Sequence, residues 1–252
     1  MSAPREGSLA GIVRHPIKAI GTETLRATRL TAGEALPFDR HWAVAHEAAR
    51  FAERELDGWQ PKRNFIRGAA SSQLMAIKAR MEGSQLVLSH PTAGELTIDP
   101  ESDSVQLTRW LAPLWPENRP APRSIERNPN GPLADTPAPY VSLLSTASNA
   151  ALGESMGARL DMHRWRGNLW VDGWAPWAEF DLIGQELQVG GARLRVEERI
   201  TRCEATMGNP ETGEKDLDTL GGLDAFGHRD FGVFCTVISS GDIALGDAVG
   251  PA

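Results

Sequence analysis

Short apolar or alternating runs, separated by glycine and proline, dominate the hydrophobic pattern of this 252-residue chain. Such runs are typical of β-strands, and clustered glycine and proline are typical of turns. Residues 84–90 and 94–99 are predicted to form a hairpin, because only Pro-Thr-Ala separates them. The predicted strands are 9–17, 41–45, 73–80, 84–90, 94–99, 140–144, 168–172, 186–189, 193–200 and 232–238, with a closing strand within 240–249.

Helical patterns are few. Residues 105–115 have apolar positions at helical spacing, and residues 145–152 begin with side chains that favour a helix N-cap. The proline-rich segment 116–123 predicts a linker or crossover. The pattern as a whole therefore predicts a mainly β protein with a few helices, of the β-barrel type, in two parts that we place at 1–115 and 116–252.

Composition narrows the class of protein. The chain is 41% hydrophobic and 23% charged, as in ordinary globular proteins, and it holds no apolar run of the roughly 20 residues that span a bilayer. The N-terminus lacks the hydrophobic core of a secretory signal, and two cysteines give no disulfide framework. We therefore expect a cytoplasmic protein that does not associate with membranes.

Charge is unevenly distributed along the chain. The net charge of −7 argues against binding to nucleic acid. Residues 1–80 nevertheless hold 13 basic against 8 acidic residues, whereas residues 81–252 hold 13 against 25. A basic first third in an acidic protein indicates a possible anion site, although solvated surface arginines would give the same count.

Cys203 carries the most distinctive candidate chemistry. It lies beside Arg202, between an alternating run and a turn, and a neighbouring cation favours the thiolate, which is a nucleophile and a soft metal ligand. A small buried residue on a strand is an equal alternative, and for Cys235, within an apolar run, it is the preferred one. The six histidines have no metal-ligand spacing, although His163 or His228 could pair with Cys203 in the fold.

Four further segments precede the cysteine segment in order. They are His15-Pro-Ile-Lys18, Asp39-Arg-His-Trp42, Asp135-Thr-Pro137 and Trp165-Arg-Gly-Asn168, followed by Arg202-Cys-Glu-Ala-Thr-Met-Gly-Asn-Pro-Glu-Thr-Gly213. Together they resemble the MOSC family, which is named for the C-terminal domain of molybdenum cofactor sulfurases. The resemblance covers nearly the whole chain and implies an N-terminal β-barrel domain at 1–115 and a MOSC β-barrel domain at 116–252.

The resemblance is strongest to the amidoxime-reducing component and its bacterial counterparts. It implies a molybdenum-cofactor (molybdopterin) oxidoreductase, independent of pyridoxal phosphate, that reduces N- or S-oxygenated small molecules with electrons from a separate ferredoxin- or flavin-type protein. Cys203 would be the molybdenum ligand, Asp135 would lie near the metal, and both would be catalytic residues. Lys18, Arg40 and Arg166 would hold the phosphate and pterin, and Thr136, Asn168, Thr201 and Arg202 would complete the pocket.

The chain departs from the family pattern at Ala19, Pro137, Gly167 and Asn209, and two of these replace hydroxyl side chains. One alternative is therefore a non-catalytic carrier of the cofactor, or of sulfur as a persulfide, that uses the same Cys203. A metal-free cysteine transferase is a third hypothesis. Among the other features, the tryptophans at 165–177 are expected to pack in the core, and the acidic segment 211–218 is expected to be a solvated loop or the docking face of an electron donor.

Overall fold

A computed structural model describes residues 6–51 and 56–252. Within them the strands are β1 (Gly7–Arg14), β2 (Glu23–Leu25), β3 (Ala27–Leu30), β4 (Trp42–His46), β5 (Lys78–Glu82), β6 (Gln85–His90), β7 (Gly94–Ile98), β8 (Pro122–Arg127), β9 (Val141–Ser145), β10 (Leu169–Asp172), β11 (Glu186–Val189), β12 (Ala192–Thr201), β13 (Asp230–Ser239), β14 (Gly241–Ala244) and β15 (Ala248–Pro251). The α-helices are α1 (Ser104–Leu111), α2 (Thr146–Met156) and α3 (Thr219–Asp224). The 3-10 helices are Lys62–Asn64, Ser72–Ala76, Ala112–Leu114, Met162–Trp165, Ala178–Leu182 and Glu204–Met207.

A closed seven-stranded barrel organises the larger half of the protein. Its strands follow the order β10-β9-β13-β12-β11-β15-β1, and pairing of β1 with β10 closes the ring. Strand β2 extends one edge of β1, with Ile12 opposite Leu25. Closure removes the free sheet edges that would otherwise need protection. The fold is therefore mainly β with a closed barrel, as predicted.

The barrel core consists of alternate residues from its strands. Val141, Leu143, Val233, Cys235 and Val237 are all buried within it. Burial raises the pKa of the Cys235 thiol well above its ordinary value, so this thiol stays protonated. Its placement confirms that Cys235 is a core residue.

Smaller sheets occupy the rest of the molecule. Strand β4 pairs with β8, strands β5, β6 and β7 form a three-stranded sheet, and β3 pairs with β14. A second core lies here and includes Ile17, Trp42, Leu88 and Leu107. Because β1 and β3 pair with strands from the C-terminal part, the early segments reach across to the barrel. The division at 115/116 stays a prediction.

The 84–90/94–99 hairpin is confirmed as β6 and β7, and the helix at 105–115 is confirmed as α1 with the 3-10 turn that follows it. The strand at 73–80 is wrong in its first half, where Ser72–Ala76 forms a 3-10 helix before β5. Leu74, Met75 and Ala76 are all buried, and a short continuous apolar run does not distinguish a strand from a buried turn. No helix in the described ranges is long and apolar enough to cross a membrane.

Candidate functional site

A cavity of about 220 Å³ lies between one end of the barrel and the loops of the first third. Every residue that the sequence proposed for the site lines it: Lys18, Arg40, Asp135, Thr136, Arg166, Asn168, Thr201, Arg202 and Cys203. They come from segments spread over more than 180 positions of the chain. The fold therefore brings the whole predicted set together, whatever the role of each member.

Left-handed backbone conformations concentrate at this cavity. Ala19, Arg40 and Arg166 have φ values of 64°, 49° and 48°, and all three line the cavity. Residues other than glycine rarely adopt this backbone conformation, so the surrounding structure must hold each of these three residues in place. At Arg40 the backbone N–H donates to His15 O at 2.7 Å, and the Arg40 carbonyl accepts from Leu133 N–H at 2.8 Å. Such strained positions are typical of functional sites.

Lys18 and Asp135 form an ion pair at the cavity wall. The Lys18 ammonium is buried and also donates to Leu133 O at 3.0 Å, whereas the Asp135 side chain is 55% exposed. Burial lowers the pKa of Lys18, and Asp135 partly offsets that effect. Burial alone would raise the pKa of Asp135, but Lys18 and then Lys62, whose Nζ lies 3.9 Å away, outweigh it. Asp135 is therefore ionised at neutral pH.

Arg40 and Arg166 are held against each other despite their like charge. Arg40 pairs with the buried Asp39 and donates to Arg166 O at 2.7 Å. Arg166 has a long contact to Ile17 O at 3.5 Å, and its Nη1 is buried with no partner. Burial, and next the charge of Arg40, lower the pKa of Arg166 to about 9, so it stays cationic at pH 7. An unpartnered buried guanidinium N–H is costly unless an anion binds there.

Cys203 is exposed and begins the 3-10 helix Glu204–Met207. Its carbonyl accepts from Thr206 N–H at 3.1 Å and from Thr206 Oγ1 at 3.0 Å, so the backbone is fixed while the thiol faces open space. The Arg202 guanidinium donates to Trp165 O and to Phe231 O, each at 2.8 Å, and stays within the fold. The alternative of a buried strand cysteine at 203 is thus wrong.

The remaining predicted residues are engaged with the scaffold. Asn168 is buried, and its Oδ1 accepts from Ser142 N–H and Oγ while its Nδ2 donates to Val13 O at 3.1 Å. Thr201 Oγ1 donates to Asp230 Oδ1 at 2.7 Å, and Thr136 Oγ1 donates to Ala138 O at 3.4 Å. Their roles toward a ligand stay predictions.

Sequence reasoning missed several charged residues of the cavity, namely Asp39, Lys62, Arg67 and Arg164. Arg164 is buried and bonded to Asp216 at 2.6 Å. Lys62 and Arg67 lie in the basic first third, so the charge asymmetry was a signal for these two. Neither His163 nor His228 lines the cavity, and His228 instead packs on Trp177 and Phe180. A pair of Cys203 with either histidine is therefore not formed.

Two of the departures from the family pattern, Gly167 and Asn209, have a structural explanation. A side chain at Gly167 would overlap the Leu144 methyl groups, so the chain needs glycine there. Asn209 donates to Asp216 Oδ2 at 2.7 Å, which an aspartate could not do, and its Oδ1 accepts from Glu211 N–H at 2.8 Å. Nothing in the structure explains Ala19 or Pro137.

The tryptophans behave as expected, since Trp165 and Trp170 are core residues and Trp165 stacks on Phe231 at 3.9 Å.

Comparison with known proteins defines the class. The MOSC domain matches residues 131–250, and the MOSC N-terminal beta barrel domain matches residues 6–120. The chain belongs to the MOSC family, which is associated with molybdenum-cofactor-binding proteins.

Among solved structures, the chain is similar to the YuaD protein from Bacillus subtilis, with a TM-score of 0.50 and 14% identity over 99% of this chain and 97% of that one. It is also similar to YiiM from Geobacillus stearothermophilus, with a TM-score of 0.34 and 14% identity over 44% and 53% of the two chains. No curated protein matches significantly. The first of these likenesses supports the fold alone.

The residues present fit a molybdenum pyranopterin cofactor. The cavity offers a soft thiol at Cys203, a buried ammonium at Lys18, and the guanidinium of Arg166, whose buried Nη1 has no partner. Thiolate suits molybdenum, and guanidinium groups suit phosphate. No cluster of three or more His, Cys, Asp or Glu side chains that could hold a metal ion occurs within residues 6–51 and 56–252.

Proposed function

We propose that this protein binds the molybdenum cofactor in the cavity and reduces N- or S-oxygenated small molecules. One observation carries the proposal: an exposed thiol, Cys203, opens onto the same cavity as the cationic group of Lys18, Arg40 and Arg166. A cofactor with a metal at one end and a phosphate at the other needs both kinds of partner. Family membership supports this cofactor over other anionic ligands.

The proposal gives each of these residues a task. The cofactor, when bound, supplies the two-electron redox chemistry. Cys203 provides the protein ligand to the metal, and Lys18, Arg40 and Arg166 hold the phosphate and pterin. Asp135 is ionised beside Lys18 and therefore orients that ammonium rather than donating a proton. The Asn168 bonds keep β1 and β10 in register at the cavity wall.

The reaction requires two electrons from a separate donor protein. Reduction of an N-hydroxylated compound takes two electrons and two protons, breaks the N–O bond, and releases the amine or amidine and one water. A separate ferredoxin- or flavin-type protein would supply the electrons, and solvent would supply the protons. We place docking of that protein near the exposed acidic loop after Cys203, because opposite charges steer such encounters.

The test is metal analysis of protein produced in a host that makes the cofactor. We expect about one molybdenum per chain in the wild type, and loss of metal and of benzamidoxime reduction in Cys203→Ser, because the thiolate ligand is removed. Cys235→Ala, a change at the buried cysteine, is the matched control and should keep the metal. A folded wild type without molybdenum or pterin fluorescence would contradict the proposal.

A second candidate function is a carrier of sulfur as a persulfide on Cys203, which its exposure favours. Intact mass after mild isolation distinguishes the two, since a persulfide adds about 32 Da to a reactive thiolate. The added mass should disappear in Cys203→Ser. Wild-type protein with no added mass and with turnover would argue for the reductase.

A further inference from the structure

The cavity has a large excess of positive charge for a protein whose net charge is −7. Its carboxylates are those of Asp39 and Asp135. Its cations are Lys18, Arg40, Lys62, Arg67, Arg164, Arg166 and Arg202. A concave site lined by one sign of charge concentrates ligands of the opposite sign. One cofactor phosphate would match only part of this excess.

Six of these seven cations already have at least one contact with the protein, although Nη1 of Arg166 has none. Lys18 and Lys62 form ion pairs with Asp135. Arg40 pairs with Asp39, and Arg164 pairs with Asp216. Arg166 contacts Ile17 O, and Arg202 donates to Trp165 O and Phe231 O. Among the described residues, Arg67 alone of this set has a side chain with no hydrogen bond or ion pair.

The backbone of Arg67 is nevertheless firmly placed. Its carbonyl accepts from Ala70 N–H at 2.9 Å and from Ser71 N–H at 3.3 Å, which forms a tight turn. The next residue, Gly68, lies so close to the helix after Cys203 that an added Cβ would meet Ala205 Cβ at 3.1 Å and Met75 Sδ at 2.8 Å. Arg67 therefore stands on the Cys203 side of the cavity, apart from the contacting group of Lys18, Arg40 and Arg166.

The geometry points to Arg67 as the residue that binds an acidic group of the substrate: we propose that the substrates are small N- or S-oxygenated carboxylates. The reaction part of this inference rests on the proposed function, and the binding part rests on the cavity alone. Both carboxylates of the cavity are already paired with other cations, so neither is left to neutralise Arg67, and an anionic group that enters with a ligand can do so. One unpaired guanidinium matches the single charge of a carboxylate, which it can bind with two parallel N–H donors.

The cavity also has apolar surface that can contact the uncharged part of such a substrate. Tyr140 and Phe234 line the cavity as a stacked pair with ring centroids 5.1 Å apart, and Ile200 and Met75 add apolar surface. A planar aromatic ring can stack on such a pair. Aromatic carboxylates with an N–OH group are therefore the probes of choice.

The experiment compares benzamidoxime with 4-carboxybenzamidoxime on molybdenum-loaded enzyme. We expect the wild type to prefer the carboxylated substrate in kcat/KM, and Arg67→Gln to reduce that preference about 10- to 100-fold, the usual worth of a hydrogen bond to a charged group. Arg67→Lys should restore part of it. Arg63→Gln, which changes an exposed arginine outside the cavity lining, should leave the preference unchanged.

Two further measurements separate this inference from the proposed function. Molybdenum content should be equal in the wild type and Arg67→Gln, and loss of metal in the variant would overturn the inference by making Arg67 a cofactor ligand. Calorimetric titration of the enzyme as isolated, without an electron donor, with 4-carboxybenzamidoxime should show binding that Arg67→Gln weakens by the same factor. Equal binding by both proteins, or a wild type that prefers the neutral substrate, would also overturn it. If turnover fails entirely, the titration alone still decides the role of Arg67.

Discussion

Asn168, which the sequence predicts as a cofactor-binding residue, also has a structural role in the scaffold. Its side chain uses both polar atoms, accepting from Ser142 at 2.8 Å and donating to Val13 O at 3.1 Å. These bonds link β1, β9 and the start of β10. The neighbouring Gly167 packs on Leu144, and Arg166 takes the left-handed conformation. Three consecutive residues therefore place one guanidinium, and we propose that Asn168 positions it, while a direct contact of Asn168 with the cofactor stays a prediction.

We expect Asn168→Ala to lower the free energy of unfolding by about 2–4 kcal/mol, because it leaves buried polar groups without partners. Urea denaturation of metal-free protein measures this loss directly. Asn130→Ala, at an exposed position, is the control and should change stability by less than about 0.5 kcal/mol. Unchanged stability combined with loss of the cofactor would show instead that Asn168 is a ligand.

At the scale of elements, β3 and β14 form a two-stranded ribbon that connects the first third of the chain to the C-terminal part. Gly241 begins β14 beside the turn between β11 and β12, where Gly191 N–H donates to Asp242 O at 2.9 Å. The two backbones approach so closely that a Cβ on Gly241 would overlap the Gly191 carbonyl. Because both contacting atoms belong to the main chain, no side-chain rotation can relieve the clash.

Gly241→Ala should therefore destabilise the protein by about 1–3 kcal/mol or more, as overpacking does elsewhere. Thermal unfolding followed by circular dichroism would show the shift in Tm. Gly250→Ala is the matched control, since its added Cβ would meet other atoms only at 3.9 Å and its φ is not positive. Equal Tm values for the two variants would mean that the ribbon adjusts freely.

At the scale of the whole molecule, the hydrophobic pattern predicted the mainly β barrel fold, and motif order predicted residues that line one cavity. Lys18, Arg40, Arg166 and Cys203 were found because each stands in a distinctive short motif. Arg67 was missed because its significance depends on which cations find partners, and this is decided by contacts between distant segments. The 3-10 helix at Ser72–Ala76 and the β3–β14 pairing were missed for related reasons, since an apolar run is ambiguous and long-range pairing leaves no local signal.

The pH dependence of overall stability should depend on Glu179. Its side chain is buried, with Ser148 Oγ donating to Oε2 at 2.8 Å and Oε1 without a partner, and burial raises its pKa from 4.5 to about 7. The folded state therefore holds a proton that the unfolded state loses above about pH 4.5. The free energy of unfolding should fall by about 3 kcal/mol as pH rises from 4.5 to 7, and then level off.

Denaturation at several pH values tests this, with Glu179→Gln as the comparison. The difference in unfolding free energy between variant and wild type should grow through this window. His15, whose pKa is lowered by burial and then by Arg166, destabilises the protein at acidic pH in both proteins, so its effect cancels in that difference. A pH-independent difference would place the Glu179 carboxylate in contact with solvent.

The closure of the barrel has a consequence for synthesis on the ribosome. Strand β1 is synthesised well before two of its partners, since it pairs with β10 and with β15, where Gly7 lies opposite Val249. At roughly 5–20 residues per second, β1 waits tens of seconds for its last partner. During that interval β2 can pair with the end of β1, but the parts of β1 that pair with β10 and β15 stay exposed. The smaller sheets around β4 to β8 can form meanwhile, so a nascent chain presents β1 to chaperones before the barrel, and with it the cavity, exists.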